Sequence, residues 1–239
     1  MKKLILAALA ASLMAASGRA DTVDLSAHAG FTSLSMGNFN KANSAFWGWS
    51  GVGHVNELDS GFIVGLDATT KRLTRFDWLD LGLRGEYLQS DLAVNDSLAS
   101  GGNKSYVSDQ ANLGGLLIGA KAEAPFVDDR LTAGLGLWAG MGYATMAQAV
   151  GYSQSALSNG VYTTYLPVGE AEASLRYRLG SRWSLTASTG WRWADAASLK
   201  DSRGVPLYQD LQLWKYGVKS PLNVDYSGAT AQGAASYSF

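Results

Sequence analysis

The sequence predicts an all-β chain: a closed, antiparallel, eight-stranded up-and-down transmembrane β-barrel with short periplasmic turns and long extracellular loops. Three observations predict it. Hydrophobicity runs with a period of two along most of the chain. Short and long connections alternate strictly. Charged residues make up only 16% of the 239 residues, against about 25% in a typical soluble domain, whereas glycine (28 residues) and aromatics (11%) are abundant.

The first twenty residues are set apart. Met1-Lys2-Lys3 is a basic start, Leu4 to Ala16 is an apolar stretch, and Gly18-Arg19-Ala20 places small residues before Asp21. That order is the grammar of a cleaved secretory signal peptide. Residues 1–20 are therefore excluded from the fold, and 21–239 form one barrel domain. Losing Lys2, Lys3 and Arg19 leaves 16 basic against 20 acidic residues, a net charge of −4. Such a balance argues against a nucleic-acid partner. No run approaches the about 18 apolar residues of a spanning helix. The chain has no cysteine, which excludes disulfides and thiolate metal sites. Its two histidines, His28 and His54, do not make a metal cluster, and nothing in the residues calls for a cofactor.

The strands follow in order. Val23, Leu25, Ala27, Ala29 and Phe31 alternate with Asp24, Ser26 and His28. Phe62, Val64 and Leu66 alternate with Ile63, Gly65 and Asp67. In the clearest case Leu79, Leu81, Leu83 and Tyr87 point one way, and Asp80, Arg84 and Glu86 the other. Leu116, Ile118, Ala120 and Ala122 oppose Leu117, Gly119, Lys121 and Glu123. Leu131 to Tyr143 alternates with Trp138 and four glycines. Glu170, Glu172, Arg176 and Arg178 oppose Ala171, Ala173, Leu175 and Tyr177. Trp183, Leu185, Ala187, Thr189 and Trp191 alternate with Ser184, Thr186, Ser188 and Arg192. The last strand, Asn223 to Phe239, closes on Ala231, Gly233, Ala235, Tyr237 and Phe239. Short connections at Thr70–Asp77, Pro125–Asp129 and Leu179–Ser181 separate long ones at roughly Met36–Ser60, Leu92–Gln110, Ala147–Val161 and Ala194–Leu222. This order puts both termini on the short-turn, periplasmic side. No helix is expected to cover the apolar faces, so closure against lipid is what satisfies the backbone.

In such a barrel the apolar face meets lipid and the polar face meets a narrow lumen. Tyr177 and Trp183 near the short turns, and Tyr143, Trp191 and Trp193 near the long loops, are expected as two interfacial girdles, although strands favour aromatics in any case. The inward acids are Asp24, Asp67, Asp80, Glu86, Glu123, Glu170 and Glu172; the inward bases are Arg84, Lys121, Arg176, Arg178, Arg182 and Arg192. Near balance in a small bore reads as an ion-pair plug, because buried charges require partners. A charged pore lining is the alternative.

These features together, with the terminal Tyr237-Ser238-Phe239, resemble the small outer-membrane barrels of the OmpA/OmpX/OmpW class. The resemblance is one of pattern and covers the whole mature chain. It implies residence in the outer membrane of a Gram-negative cell envelope, contact with lipid and lipopolysaccharide, and an assembly signal at Tyr237 and Phe239 read by the barrel-assembly machinery. It also implies a choice of functions. The first is a structural or surface-interaction protein whose long loops meet an extracellular partner. Phe46, Trp47 and Trp49 in the first loop and Tyr208, Trp214 and Tyr216 in the last would contact it, unless they pack on one another. The second is a porin-like channel or conduit for small molecules. The third is a lipid-modifying or proteolytic enzyme in the barrel wall, for which neither histidine stands in a recognisable nucleophile–base pattern, so the chain reads as no enzyme. Ala27 and Ala29 with Ala231, Gly233 and Ala235 form a smooth seam that could serve a dimer; plain lipid exposure and a monomer are the expectation.

Overall fold

The computed structural model describes residues 22–49, 56–71, 78–91, 93–98, 104–127, 130–152, 155–196, 198–208 and 213–239. The signal-peptide expectation, His54 and most of the first short turn lie outside the described residues.

The strands are β1 (Thr22–Ser33), β2 (Ser60–Lys71), β3 (Leu79–Ser90), β4 (Ala93–Leu98), β5 (Lys104–Val127), β6 (Leu131–Tyr152), β7 (Ser155–Arg178), β8 (Trp183–Trp193), β9 (Asp195–Ala196), β10 (Val224–Asp225) and β11 (Gly228–Ser238). Each main strand pairs antiparallel with its chain neighbour, and β11 closes the sheet on β1 with Ala27 opposite Ala235. Both β3 and β4 pair with β5, one above the other, so they occupy a single place in the wall and the barrel is eight-stranded. Where they part, Ala111 N–H donates to the Ser90 hydroxyl at 2.8 Å in place of a ladder bond.

Several expectations are corrected. The second and third long connections are mostly strand: β5, β6 and β7 run on as a tall arm, with Ala147 opposite Val161 and a single register shift between Val150 and Gly151. Alternation in these stretches is masked by Gly, Ser, Gln and Asn, which read as loop. Pro167 is tolerated inside β7 because β7 has outrun β8 there: β8 ends at Trp193, opposite Gly169. The Thr163 N–H, four residues earlier on the same edge, donates to Lys200 of the last loop instead. The last strand starts at Gly228 rather than Asn223, because Val224 and Asp225 pair with β9 in a small separate sheet.

The first long loop contains a helix, α1 (Gly37–Trp49), where the sequence led us to expect none. Its buried side chains, Phe39, Ala42, Asn43 and Trp47, recur at three- to four-residue spacing, which is the helical signal. Asn40 fastens the return chain: its amide donates to Leu58 O at 3.1 Å and accepts from Leu58 N at 3.0 Å. Among the described residues no helix is long and apolar enough to cross a membrane, which says nothing about strands. Outside, Leu25, Phe31, Leu66, Leu116, Ile118, Leu135, Leu137, Met141 and Leu175 all stand exposed, forming an apolar belt around the wall.

Candidate functional site

The lumen is filled in two layers, and every wall position contributes. The layer nearer the short turns is charged. Arg84 on β3 is its hub: Nε donates to Asp67 Oδ1 at 2.9 Å, Nη1 to Glu170 Oε1 at 3.1 Å and Nη2 to Glu172 Oε2 at 2.9 Å. The guanidinium also lies 4.1 Å from the centroid of the Trp138 ring on β6, a cation–π contact in a site shielded from water. Arg192, wholly buried, donates to Glu86 Oε2 at 2.8 Å and stands 3.4 Å from Glu170 Oε2. Lys121 Nζ is 3.4 Å from Glu172 Oε1, and Asp80 lies across from Lys121 in register. Gln232 of β11 donates to Glu170 at 3.4 Å.

A second, smaller cluster sits below it. Arg176 bridges Asp24 at 3.1 Å and Glu123 at 3.0 Å, and the Ser238 hydroxyl donates to Asp24 at 2.6 Å. The penultimate residue thereby ties the C-terminus to β1. Phe239 N–H adds a bond to Val23 O at 3.0 Å, and its ring contacts Tyr237 edge-on at 4.8 Å.

Glycines make room for this packing. A Cβ on Gly136 would lie 2.8 Å from Glu172 Cγ and 3.1 Å from Trp138 Nε1. The position opposite Lys121 and Glu172 thus has to be bare for the indole and the carboxylate to share it.

The layer nearer the long loops is apolar, which corrects the expectation of a polar lumen throughout. From the wall come Leu113, Leu117, Met146, Leu166 and Val168; from the first loop Met36, Phe39, Ala42 and Leu58; from the last loop Leu199, Leu207, Leu222 and Tyr226. Above the wall β5 and β6 add a polar lock. Buried Asp109 accepts from Asn43 at 2.7 Å and from Gln148 at 2.9 Å; Tyr208 donates to Asn43 Oδ1 at 2.8 Å and accepts from Gln148 at 2.8 Å. Burial pushes the Asp109 carboxyl and the Tyr208 hydroxyl up from their ordinary pKa values. This lock was missed in sequence. Its signal there is two amides, an acid and a tyrosine scattered over four segments read as loops.

Of the expected lumen charges, Asp24, Asp67, Asp80, Arg84, Glu86, Lys121, Glu123, Glu170, Glu172, Arg176 and Arg192 converge inside. Arg178 and Arg182 do not: both are exposed at the short-turn rim, Arg178 on the last rung of β7 and Arg182 just before β8, and Arg182 donates to the Tyr237 hydroxyl at 2.8 Å. Without them the expected set is acidic rather than near balance, seven carboxylates facing four cationic side chains and His28. His28 Nδ1 is 3.4 Å from Asp67. Tyr143, Tyr177, Trp183, Trp191 and Trp193 are outward and exposed; Tyr177, Trp183, Trp191 and Trp193 lie near strand ends, whereas Tyr143 lies midway along β6, opposite Tyr165, because β6 runs on past the expected loop. Phe46, Trp47 and Tyr208 pack together, with ring centroids 4.7 Å and 5.8 Å apart, instead of facing solvent; Trp214 stays 72% exposed. The side chains of Trp49 and Tyr216 are not among those described.

No family model and no curated protein matches the chain. Among solved structures it is similar to Neisserial surface protein A (13% identity, 90% of this chain and 94% of that chain, TM-score 0.35). It is also similar to a major outer membrane protein from Thermus thermophilus (14%, 91% and 99%, TM-score 0.45) and to Ail, the attachment invasion locus protein of Yersinia pestis (14%, 91% and 98%, TM-score 0.41). The pairing register, independently of these likenesses, makes the chain a closed eight-stranded up-and-down barrel.

Proposed function

We propose that this protein is a non-conducting outer-membrane barrel that acts as a structural or surface-interaction protein through its long-loop end. The observation that carries the reading is the double filling of the lumen. A charged layer held by Arg84 spans the bore, and an apolar layer built by α1 and the last loop caps it. An ion would have to break buried pairs and then cross packed hydrocarbon, each a cost of several kcal/mol.

The exposed apolar belt between two sets of exposed aromatics supports placement in a bilayer. In this reading residues 1–20 direct secretion, the short turns and both termini face the periplasm, and Tyr237 with Phe239 is the assembly signal. The barrel works as a monomer among lipid and lipopolysaccharide. Trp214, Lys41 and Lys215, exposed at the long-loop end, are the side chains on offer to a partner. A non-enzymatic role is supported by His28, which is enclosed in the lumen beside Asp67 rather than presented to a substrate.

Planar-bilayer recording of the refolded protein, with heat-modifiable gel migration as the folding control, tests this. Folded barrels should stay silent. Discrete, reproducible channels would overturn the plug and favour a narrow conduit.

A further inference from the structure

We propose that the outer wall carries a seat for one phospholipid of the leaflet at the short-turn end, its acyl chain in an alanine-floored groove and its phosphate at Arg182. The inference rests on the membrane placement above. The groove has a volume of about 840 Å³ and is lined by β5 to β8 and Trp78. Ala124, Leu135, Ala173, Leu175, Ala187 and Thr189 of its lining are exposed and of outward parity on four consecutive strands, so the groove opens on the outside of this narrow barrel. Ala122, Ala173 and Ala187 form the floor; Trp78, Leu135 and Leu175 stand up around them.

Small outward residues bring no packing benefit to the barrel itself, since nothing among the described residues covers them. What they create is a channel of hydrocarbon-lined space. Leu175 lies three residues above Arg178, and Ala187 four above Trp183, on strands that rise about 3.3 Å per residue. The floor is therefore about 10–13 Å along the wall from the rim, inside the about 15 Å that one leaflet's hydrocarbon occupies.

Charge chooses the occupant. Arg182 immediately precedes β8, the strand that carries Ala187. It is exposed, its guanidinium donates to the Tyr237 hydroxyl at 2.8 Å, and Tyr237 packs edge-on against Trp183 at 5.1 Å. A cation fixed among interfacial aromatics, at the height of lipid headgroups, presents its remaining N–H groups to a phosphate. A second copy seated here about a two-fold axis along the membrane normal would instead bring its own Arg182 to the same height. Like charges would then oppose each other near hydrocarbon.

The test uses the protein in nanodiscs of phosphatidylethanolamine and phosphatidylglycerol, transferred to mild detergent and read by native mass spectrometry. The wild type should keep one phospholipid through dilution. Ala173→Phe, which fills the groove from a lipid-facing position, should lower the retained fraction about tenfold, equivalent to about 1.4 kcal/mol. Arg182→Ala should lower it severalfold, with Arg182→Lys recovering part. If Ala173→Phe does not fold, as judged by heat-modifiable migration, Ala187→Leu makes the same test. Equal retention by wild type and groove-filled protein overturns the seat, as does a lipid-free dimer, which would mean that a second copy covers this face. Failure of the wild type to enter bilayers at all would refute the membrane placement instead.

Discussion

Arg84 on β3 and Glu172 on β7 meet across the lumen, Nη2 to Oε2 at 2.9 Å. The same guanidinium holds Asp67 and Glu170, so one cation satisfies three buried carboxylates from two walls.

Arg84→Ala should therefore be among the most damaging substitutions in the chain. Removing one partner from a buried pair typically costs about 3–5 kcal/mol, because the other charge is left without compensation. Arg84→Lys should recover only part, since an ammonium cannot present three N–H groups in a planar fork. Urea unfolding followed by tryptophan fluorescence and heat-modifiable migration checks this. A stability loss below about 1 kcal/mol for Arg84→Ala, small against that cost, would show that Arg84 is not the hub.

The apolar layer predicts a separable effect. Phe39 is buried within it and stacks on Tyr208 at 6.3 Å. Phe39→Ala removes one of the largest fully buried side chains at the long-loop end of the bore, a change that typically costs about 3–5 kcal/mol. Because α1 is fastened by side chains rather than by the ladder, the loss should fall on local opening of α1. The expected result is faster cleavage by trypsin at Lys41 with a heat-modifiable barrel still intact. An unchanged cleavage rate would mean that Phe39 does not hold the helix.

Most of the wall was legible in the sequence, because period-two alternation reports the pleat directly. Leu79 to Tyr87 is the plainest instance, and the inward set around Arg84 followed from it. What was not legible lies beyond the eight-stranded wall, at the long-loop end. There β5, β6 and β7 alternate among small and polar residues, and water can satisfy either loop or strand. The helix α1 was hidden because Asn40, Asn43 and Ser44 make its repeat look like loop. Arg178 kept the inward parity but stands on the last rung, opposite Ser184, and Arg182 lies just before β8, so at this rim neither is enclosed by wall on the short-turn side. The partner of His28 depends on the register between β1 and β2, which places Asp67 across from Ser26; no one-dimensional pattern carries that offset.

Gly136 gives a prediction about space rather than charge. An added methyl would lie 2.8 Å from Glu172 Cγ and 2.9 Å from Glu172 Oε1, with Lys121 and Trp138 already packed around that carboxylate. Gly136→Ala should destabilise by about 1–3 kcal/mol through overpacking. Gly233→Ala, where a Cβ meets nothing within 4 Å, should stay within about 0.5 kcal/mol. Equal effects at the two positions, in the same unfolding assay, would remove the argument that the lumen is filled to contact around Glu172.

The lock at Asp109 makes the long-loop end respond to pH. Asp109 is buried, and its hydrogen bonds come from the neutral amides of Asn43 and Gln148. Burial raises its pKa above the ordinary aspartate value. Between the unfolded and folded values the native state therefore binds the extra proton. Stability from this group is fully present below the unfolded pKa and declines as pH rises through the folded one. Once ionised, the carboxylate is held away from water, offset by two amide donors. Asp109→Asn removes the titration and exchanges one acceptor for a donor. The difference in stability between wild type and Asp109→Asn should thus favour the wild type most at and below about pH 4, the ordinary aspartate range, and shrink as pH rises above it. Hydrogen exchange across α1 and the last loop, measured at several pH values for both proteins, reads it locally and separates it from the carboxylates of the lumen. A difference that does not vary with pH would mean that Asp109 is held by its hydrogen bonds without regard to its charge.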